Sequence, residues 1–369
     1  MELPFGGIAL SPIVSCLLAG LMAVIVSFVS IPAIVRIARN KNLVDVPNGR
    51  TSHSGMVPSL GGVAFFAGLM MGASLFLPKM DLNAYRYMLG ALLIVFFIGQ
   101  KDDIESISAR TKFIAQLFAA FLVVIPGDFR IMTLHGFLNI HDIPDWASVV
   151  MSIMLIIIII NAFNLIDGID GLASGIGIST AGFMGLWLYG LEYYGMAVVA
   201  AALVGGLIPF FIFNVFGKKN KLFMGDTGSL VIGLLVSVFT LQVCSVEIQH
   251  DLFLYMKATP AVAIAILIFP LFDLIRVFSL RLSRGKSPFQ PDRGHIHHLV
   301  TDAGLSHRRS TFFILLFNLV AIGTAWFMRN GPIMVLGLML LVGSLLVTWI
   351  LWRMGRKRGH GDGGTGDKK

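Results

Sequence analysis

The sequence predicts an all-α, polytopic membrane protein of about eleven helices, with the N-terminus outside and the C-terminus in the cytoplasm. Three observations predict it. Hydrophobic residues make up 56% of the chain and charged residues 13%, with a mean hydropathy of +0.84, whereas a soluble domain carries roughly 25% charged residues. The apolar residues gather into runs close to the ~20 residues that cross a hydrocarbon core. Five acidic residues, Asp102, Asp103, Asp167, Asp170 and Asp226, stand beside or inside those runs, in the polar marks GQKDDIES (99–106), NLIDGIDG (164–171) and MGDTGS (224–229). Carboxylates are expensive near a bilayer and are rarely kept there without a task.

Taken in order, the first span is read at 11–36. No basic n-region precedes it and no small-residue cleavage site follows a short core, so it reads as a retained helix, not a signal peptide. A connector rich in Pro, Asn and Gly, Val44 to Arg50 and on to His53, leads through Pro58 and Gly61-Gly62 into a span at 58–78. Spans at 84–100 and 113–126 flank GQKDDIES; the second is short. The mixed polar segment 128–145 reads as a small hairpin outside the membrane. A span at 146–163 carries an almost pure Ile run at 155–160 and ends beside Asn164. Spans at 173–191 and 196–216 precede Lys218, Lys219, Lys221 and MGDTGS, and a span at 227–246 follows. The last spans are read at 256–279, 311–329 and 332–352, the first of these separated from the second by the longest polar connection. Residues 1–355 therefore read as one transmembrane domain and the glycine-rich 356–369 as a disordered cytoplasmic tail. Cys16 and Cys244 both sit in apolar runs and imply no disulfide framework.

The net charge of +8 is explained by orientation, not by nucleic acid. One set of alternate connections holds Arg36, Arg39, Lys41, Arg50, Lys101, Arg110, Lys112, Lys218, Lys219 and Lys221, together with the long loop and the tail. The other set keeps Lys79, Arg86, Arg130, Lys257 and Arg329. The basic side is the cytoplasmic one, and all three acidic marks fall on it.

Each mark has a plain reading beside the functional one. Asp102 and Asp103 end a span; neighbours do not share a helix face, so one is free to face a ligand while the other caps the next helix. On a helix, Asp167 and Asp170 would face the same way; two like charges there call for a cation or a basic group between them, and an Asx turn explains only one. Asp226 at a helix start could be a cap, but capping does not explain the lysines before it. In Arg284 to His298, Arg293, His295, His297 and His298 suit an anion clamp, with zinc as the competitor; no Cys is near. No Walker A loop, dinucleotide fingerprint or G-x-S-x-G elbow is present. An ion-coupled transporter also uses intramembrane carboxylates, but would place them near the midplane on broken helices.

VDVPNGR…H…P-x-LGG, the DD pair with Lys112, NLIDGIDGLASG, FMGDTGS and SPFQPDRGHIHH, in this order over about residues 43–310, resemble the polyprenyl-phosphate N-acetylhexosamine-1-phosphate transferase family. HIHH after PDR is more similar to the branch that takes UDP-GlcNAc than to the related muramoyl-pentapeptide transferases. The resemblance implies transfer of N-acetylhexosamine-1-phosphate, expected to be GlcNAc-1-phosphate, from a UDP-sugar to undecaprenyl phosphate with release of UMP. The setting implied is the cytoplasmic face of a bacterial inner (plasma) membrane, at the start of a lipid-linked envelope glycan such as O-antigen or a teichoic-acid linkage unit. It implies Mg²⁺, with Mn²⁺ as a substitute, and relatives that dimerise. Carried over, Asp226 is the metal ligand and Asp102, Asp103 and Asp170 are the catalytic candidates. Asn164, Asp167, Lys112, Arg50, His53, Arg293, His295, His297 and His298 are the substrate-binding candidates. Direct attack by the lipid phosphate and a two-step route through a phospho-aspartate both stay open, as does another UDP-N-acetyl-deoxyhexose as donor. Thr51, Ser54 and Ser59 stand where relatives often carry basic residues, which leaves the lipid contacts open.

Overall fold

Each of the eleven expected apolar runs is largely helical over its described residues, and α3, α5 and α8 end or begin at the three polar marks. The computed structural model describes residues 10–41, 43, 57–78, 82–137, 140–246, 259–285, 296, 300 and 306–359. The helices are α1 (Pro12–Asn40), α2 (Gly61–Phe76), α3 (Leu82–Ile104), α4 (Ala109–Val124), α5 (Asp145–Ile166), α6 (Leu172–Gly190), α7 (Tyr194–Phe216) and α8 (Gly225–Cys244). After them come α9 (Thr259–Ile266), α10 (Ile268–Ser283), α11 (His307–Phe327) and α12 (Ile333–Gly359). Among the described residues seven helices are long and apolar enough to cross a membrane, or eight if α9 and α10 count as one broken span. The chain is thus a multi-pass membrane protein. The shortfall from eleven has a local cause: α2 and α4 are each 16 residues long and α3 carries Lys101, Asp102 and Asp103 in its last turns.

The span read at 256–279 departs most from expectation. It is two helices bent by 78° at Leu267. Pro270 supplies the reason: it has no N–H for the Ile266 carbonyl, and its ring crowds that carbonyl. The segment read as a hairpin is one, with β1 (Thr133–Phe137) antiparallel to β2 (Ile140–Asp142). His135 Nε2 lies 3.1 Å from the Cys244 carbonyl, at the C-terminal end of α8. Twenty residues of helix span ~30 Å, so the hairpin and the N-terminus of α8 lie at opposite ends of the bundle.

Helix α8 is the axis. Of its apolar window, 94% is buried, against α3, α5, α2 and α6. Helix α1 packs on α2 and α7 through small residues. Ala19, Ala23 and Ser27 recur every four residues on its buried face, and a Cβ at Gly205 of α7 would lie 2.2 Å from the Gly20 carbonyl oxygen. Lipid is as apolar as leucine, so close backbone approach and good packing hold such helices together. Outward-facing residues, such as Phe97, Phe118, Leu186 and Phe327, remain large and apolar.

Candidate functional site

Three helix ends meet at the N-terminus of α8. Gly225 starts the helix with φ +71°, and a Cβ there would sit 2.5 Å from an Asp103 carboxylate oxygen and 2.3 Å from the Ser59 carbonyl; only glycine fits. The Met224 N-cap position supplies no side-chain bond. Asp103, 123 residues earlier, does the capping. Its Oδ1 accepts the Asp226 N–H at 2.7 Å, and its Oδ2 accepts the Thr227 N–H at 3.0 Å and the Thr227 hydroxyl at 2.6 Å. A carboxylate there satisfies the otherwise orphaned N–H groups and the positive end of the helix. Asp226 therefore does not cap its own helix; its side chain is left for other partners.

Lys112, in the first turn of α4, is such a partner. Its ammonium pairs with Asp102 Oδ2 at 2.7 Å and with Asp226 Oδ2. Asp102 is itself fixed, because its Oδ1 accepts the Ile107 N–H at 2.8 Å. The helix that follows the DD pair is capped by Ser108, whose hydroxyl accepts the Thr111 N–H. The expected division of labour in the pair thus takes another form: Asp103 caps a distant helix, and Asp102 holds a lysine.

The two acids of the second mark lie in a turn and not on a helix. Helix α5 stops at Ile166, so the shared helix face expected for Asp167 and Asp170 does not form. Asp170 turns to Lys221, whose Nζ lies 2.6 Å from Oδ2, and its carbonyl accepts the Thr311 hydroxyl of α11 at 2.6 Å. The Gly171 N–H donates to Asn214 Oδ1 at 2.6 Å. Asp167 is the C-cap residue of α5. Burial first, then the carboxylates of Asp226, Asp103 and Asp170, raise its carboxyl well above the usual range. Asn164 reaches α8 as well, donating to Ser229 Oγ at 3.0 Å.

Of the stretch read as a connector, residues 57–62 are described, and they dock at the same place. The Gly61 and Gly62 N–H groups donate to the Phe223 and Met224 carbonyls, both at 2.9 Å, and the Phe223 N–H donates to the Pro58 carbonyl at 2.8 Å. Asp102, Asp103, Lys112, Asn164, Asp167, Asp170 and Asp226 are thus gathered at one end of the bundle. Arg50, His53, Arg293, His295, His297 and His298 lie outside the described residues, as do Thr51 and Ser54. Sequence reasoning passed over Lys221 as a partner of Asp170, and it passed over Asp273. That carboxylate, 1% exposed on α10, accepts the Ile296 N–H at 2.9 Å and pairs with Arg276. Its signal was the one that marked the other acids, a lone Asp in an apolar run.

Among the described residues no three Asp, Glu, His or Cys side chains form a cage that would hold a metal on protein ligands alone. The donors present are hard carboxylate oxygens, and Asp102 and Asp226 already share one cation, the Lys112 ammonium. That set fits Mg²⁺, which takes one or two carboxylates and completes its shell with water and substrate phosphate. It does not fit zinc.

Known proteins are similar along most of this chain. The family description glycosyl transferase family 4 matches residues 85–244, the stretch that carries all three acidic marks. An undecaprenyl-phosphate α-N-acetylglucosaminyl 1-phosphate transferase of Pasteurella multocida is 36% identical over 284 residues, 75% of this chain and 76% of the relative. The protein of that name from Yersinia pestis is 32% identical over 284 residues, 76% and 75% of the two chains. That from Salmonella typhi is 30% identical over 338 residues, 87% and 88%.

Proposed function

The chain belongs to glycosyl transferase family 4, among the undecaprenyl-phosphate α-N-acetylglucosaminyl 1-phosphate transferases, and from that membership we propose how its acidic cluster works. The protein is an enzyme that transfers GlcNAc-1-phosphate to undecaprenyl phosphate. We take the donor to be UDP-GlcNAc and the by-product UMP. The single observation that carries the reading is the meeting of Asp102, Asp103, Lys112 and Asp226, from three separate helices, at the head of α8.

Phosphoryl transfer needs positioning and charge neutralisation more than covalent chemistry. Asp226 is the residue we assign to Mg²⁺, with Mn²⁺ as substitute; when bound, the ion neutralises the oxygens of the donor diphosphate. Asp103 aims Asp226 by fixing the first turn of α8. Lys112 offers an ammonium to a phosphate oxygen. Asn164 and Asp167 line the nucleotide side; Asp170 ties the 167–171 turn to Lys221 and, through its carbonyl, to α11, and the Gly171 N–H ties it to Asn214 of α7. Arg50, His53, Arg293, His295, His297 and His298 are assigned to substrate by motif alone. The lipid phosphate needs no general base, because its second pKa near 6 leaves it mostly ionised at pH 7. That favours direct attack over a phospho-aspartate.

The setting follows from charge. Lys101, Arg110, Lys218, Lys219, Arg284, Arg308 and Arg309 lie in the connections, or in the helix turns that flank them, at the end that holds the acids, while Arg130 lies beside the hairpin at the other. By the positive-inside rule the acids face the cytoplasm, in the plasma membrane, with the N-terminus outside. A bundle end at the inner leaflet serves a lipid acceptor and a soluble donor together. We assign eleven spans, counting α9 and α10 as one, a single catalytic domain over 1–355, and a tail at 356–369.

The test is UMP release by purified protein given Mg²⁺, undecaprenyl phosphate and a panel of UDP-sugars. Release with UDP-GlcNAc is expected. Activity confined to another UDP-N-acetyl sugar would reassign the donor, and transport without UMP would overturn the chemistry.

A further inference from the structure

We propose that Lys112 is the resident counter-cation of the acidic pair and yields Asp226 to a divalent ion while staying tethered to Asp102. This rests on the assignment of Asp226 as the metal ligand. The geometry gives the two carboxylates different standing. Asp102, in the last turn of α3, is held at both oxygens, by the Ile107 N–H at 2.8 Å and by Lys112 at 2.7 Å, so its carboxylate is anchored to the backbone of the α3–α4 connection. Asp226 has its backbone fixed by Asp103 and its carboxylate on Lys112. Lys112, Asp102 and Asp226 are 24%, 15% and 23% exposed at their side chains, so solutes reach the pair.

An ammonium and a hydrated divalent ion compete for one carboxylate, since both satisfy it by charge. A lysine carries its charge on a long flexible stem and can give up one of two partners without leaving the other. Released from Asp226 and still bonded to Asp102, the Lys112 ammonium lies a hydrogen bond's reach from the place the ion takes. Its freed N–H then points at the phosphate oxygens gathered there. Lys112 thus has two tasks in sequence: it keeps the Asp102 and Asp226 carboxylates from repelling one another when the site is empty of substrate, and it becomes a phosphate donor once the ion arrives. No proton need move and no bond beyond hydrogen bonds is made or broken.

The experiment uses full-length protein in detergent micelles, without substrate, and Mn²⁺ followed by electron paramagnetic resonance. Wild type, Lys112→Met and Asp226→Asn are compared, and Lys112 is probed by reductive methylation and mass spectrometry with and without Mn²⁺. Asp226→Asn is expected to abolish binding. Lys112→Met is expected to bind Mn²⁺ about tenfold tighter or more, since one unit charge at contact in a partly screened site has at least that effect. In wild type, Mn²⁺ is expected to raise methylation of Lys112 above that of the other lysines. Unchanged or weaker Mn²⁺ affinity in Lys112→Met overturns the proposal. Tighter binding with methylation unmoved leaves only through-space repulsion and overturns the exchange. Wild-type affinity in Asp226→Asn sinks the metal assignment itself, and the exchange with it.

Discussion

At the residue scale, Asp226 and Asp103 have separate work, and substitution separates them. Asp226→Asn is expected to lower turnover at least ~10²-fold, the scale of removing one charge-stabilising group, with thermal melting unchanged; near wild-type turnover would remove it from the metal site. Asp103→Asn keeps one acceptor for the α8 amides and is expected to be much milder than Asp103→Ala, which loses a cap worth ~0.5–2 kcal/mol. Melting curves recorded beside kcat/KM check this; full stability with no turnover in Asp103→Asn would mean that the group acts on substrate. Asp167 gives a pH prediction. Its carboxyl is held high by burial and by neighbouring carboxylates, so it favours the protonated form, and a cation beside it favours ionisation. Binding of Mg²⁺ therefore releases protons, and apparent affinity rises with pH. Calorimetry in two buffers of different ionisation enthalpy reads the proton count, and proton uptake would contradict the sign. These residues were legible as candidates because carboxylates stood where a bilayer disfavours them. Their partners were not, since Lys112 and Asp226 lie 114 positions apart.

At the scale of elements, close backbone approach builds the site. A Cβ on Gly99 of α3 would lie 2.6 Å from the Thr227 backbone. Gly99→Val is expected to push α3 off α8, loosen the Asp103 cap and lower stability by about 1–3 kcal/mol, with activity falling alongside; melting and UMP release measured on one preparation test the coupling. The apolar runs located the helices, with α9 and α10 read as one, because apolar runs and polar marks are local properties. It missed the 78° break at Leu267, although Pro270 was visible. Proline inside an apolar run either kinks or breaks it, as Pro32 in α1 and Pro209 in α7 illustrate by staying within continuous helices, and packing decides which.

At the scale of the whole molecule, orientation is the open quantity with a direct test. The hairpin lies at the far end of α8 from the acids, so His141→Cys, at an exposed position, is expected to react with a membrane-impermeant thiol reagent in intact cells. Cys16 and Cys244 are buried and free and give little background. Labelling only after lysis would place the acids outside. The sequence alone determined that the chain crosses a membrane many times, that its acids gather on one side, and that its motifs are those of a sugar-phosphate transferase, because hydropathy, charge and motif order are written residue by residue. Only the tertiary structure decided that α8 is the buried axis, that Asp103 caps it from another helix, and that a lysine fills the acid pair. Most of those contacts join segments tens of positions to more than a hundred apart, and pairing across such distances is fixed by packing, not by local pattern.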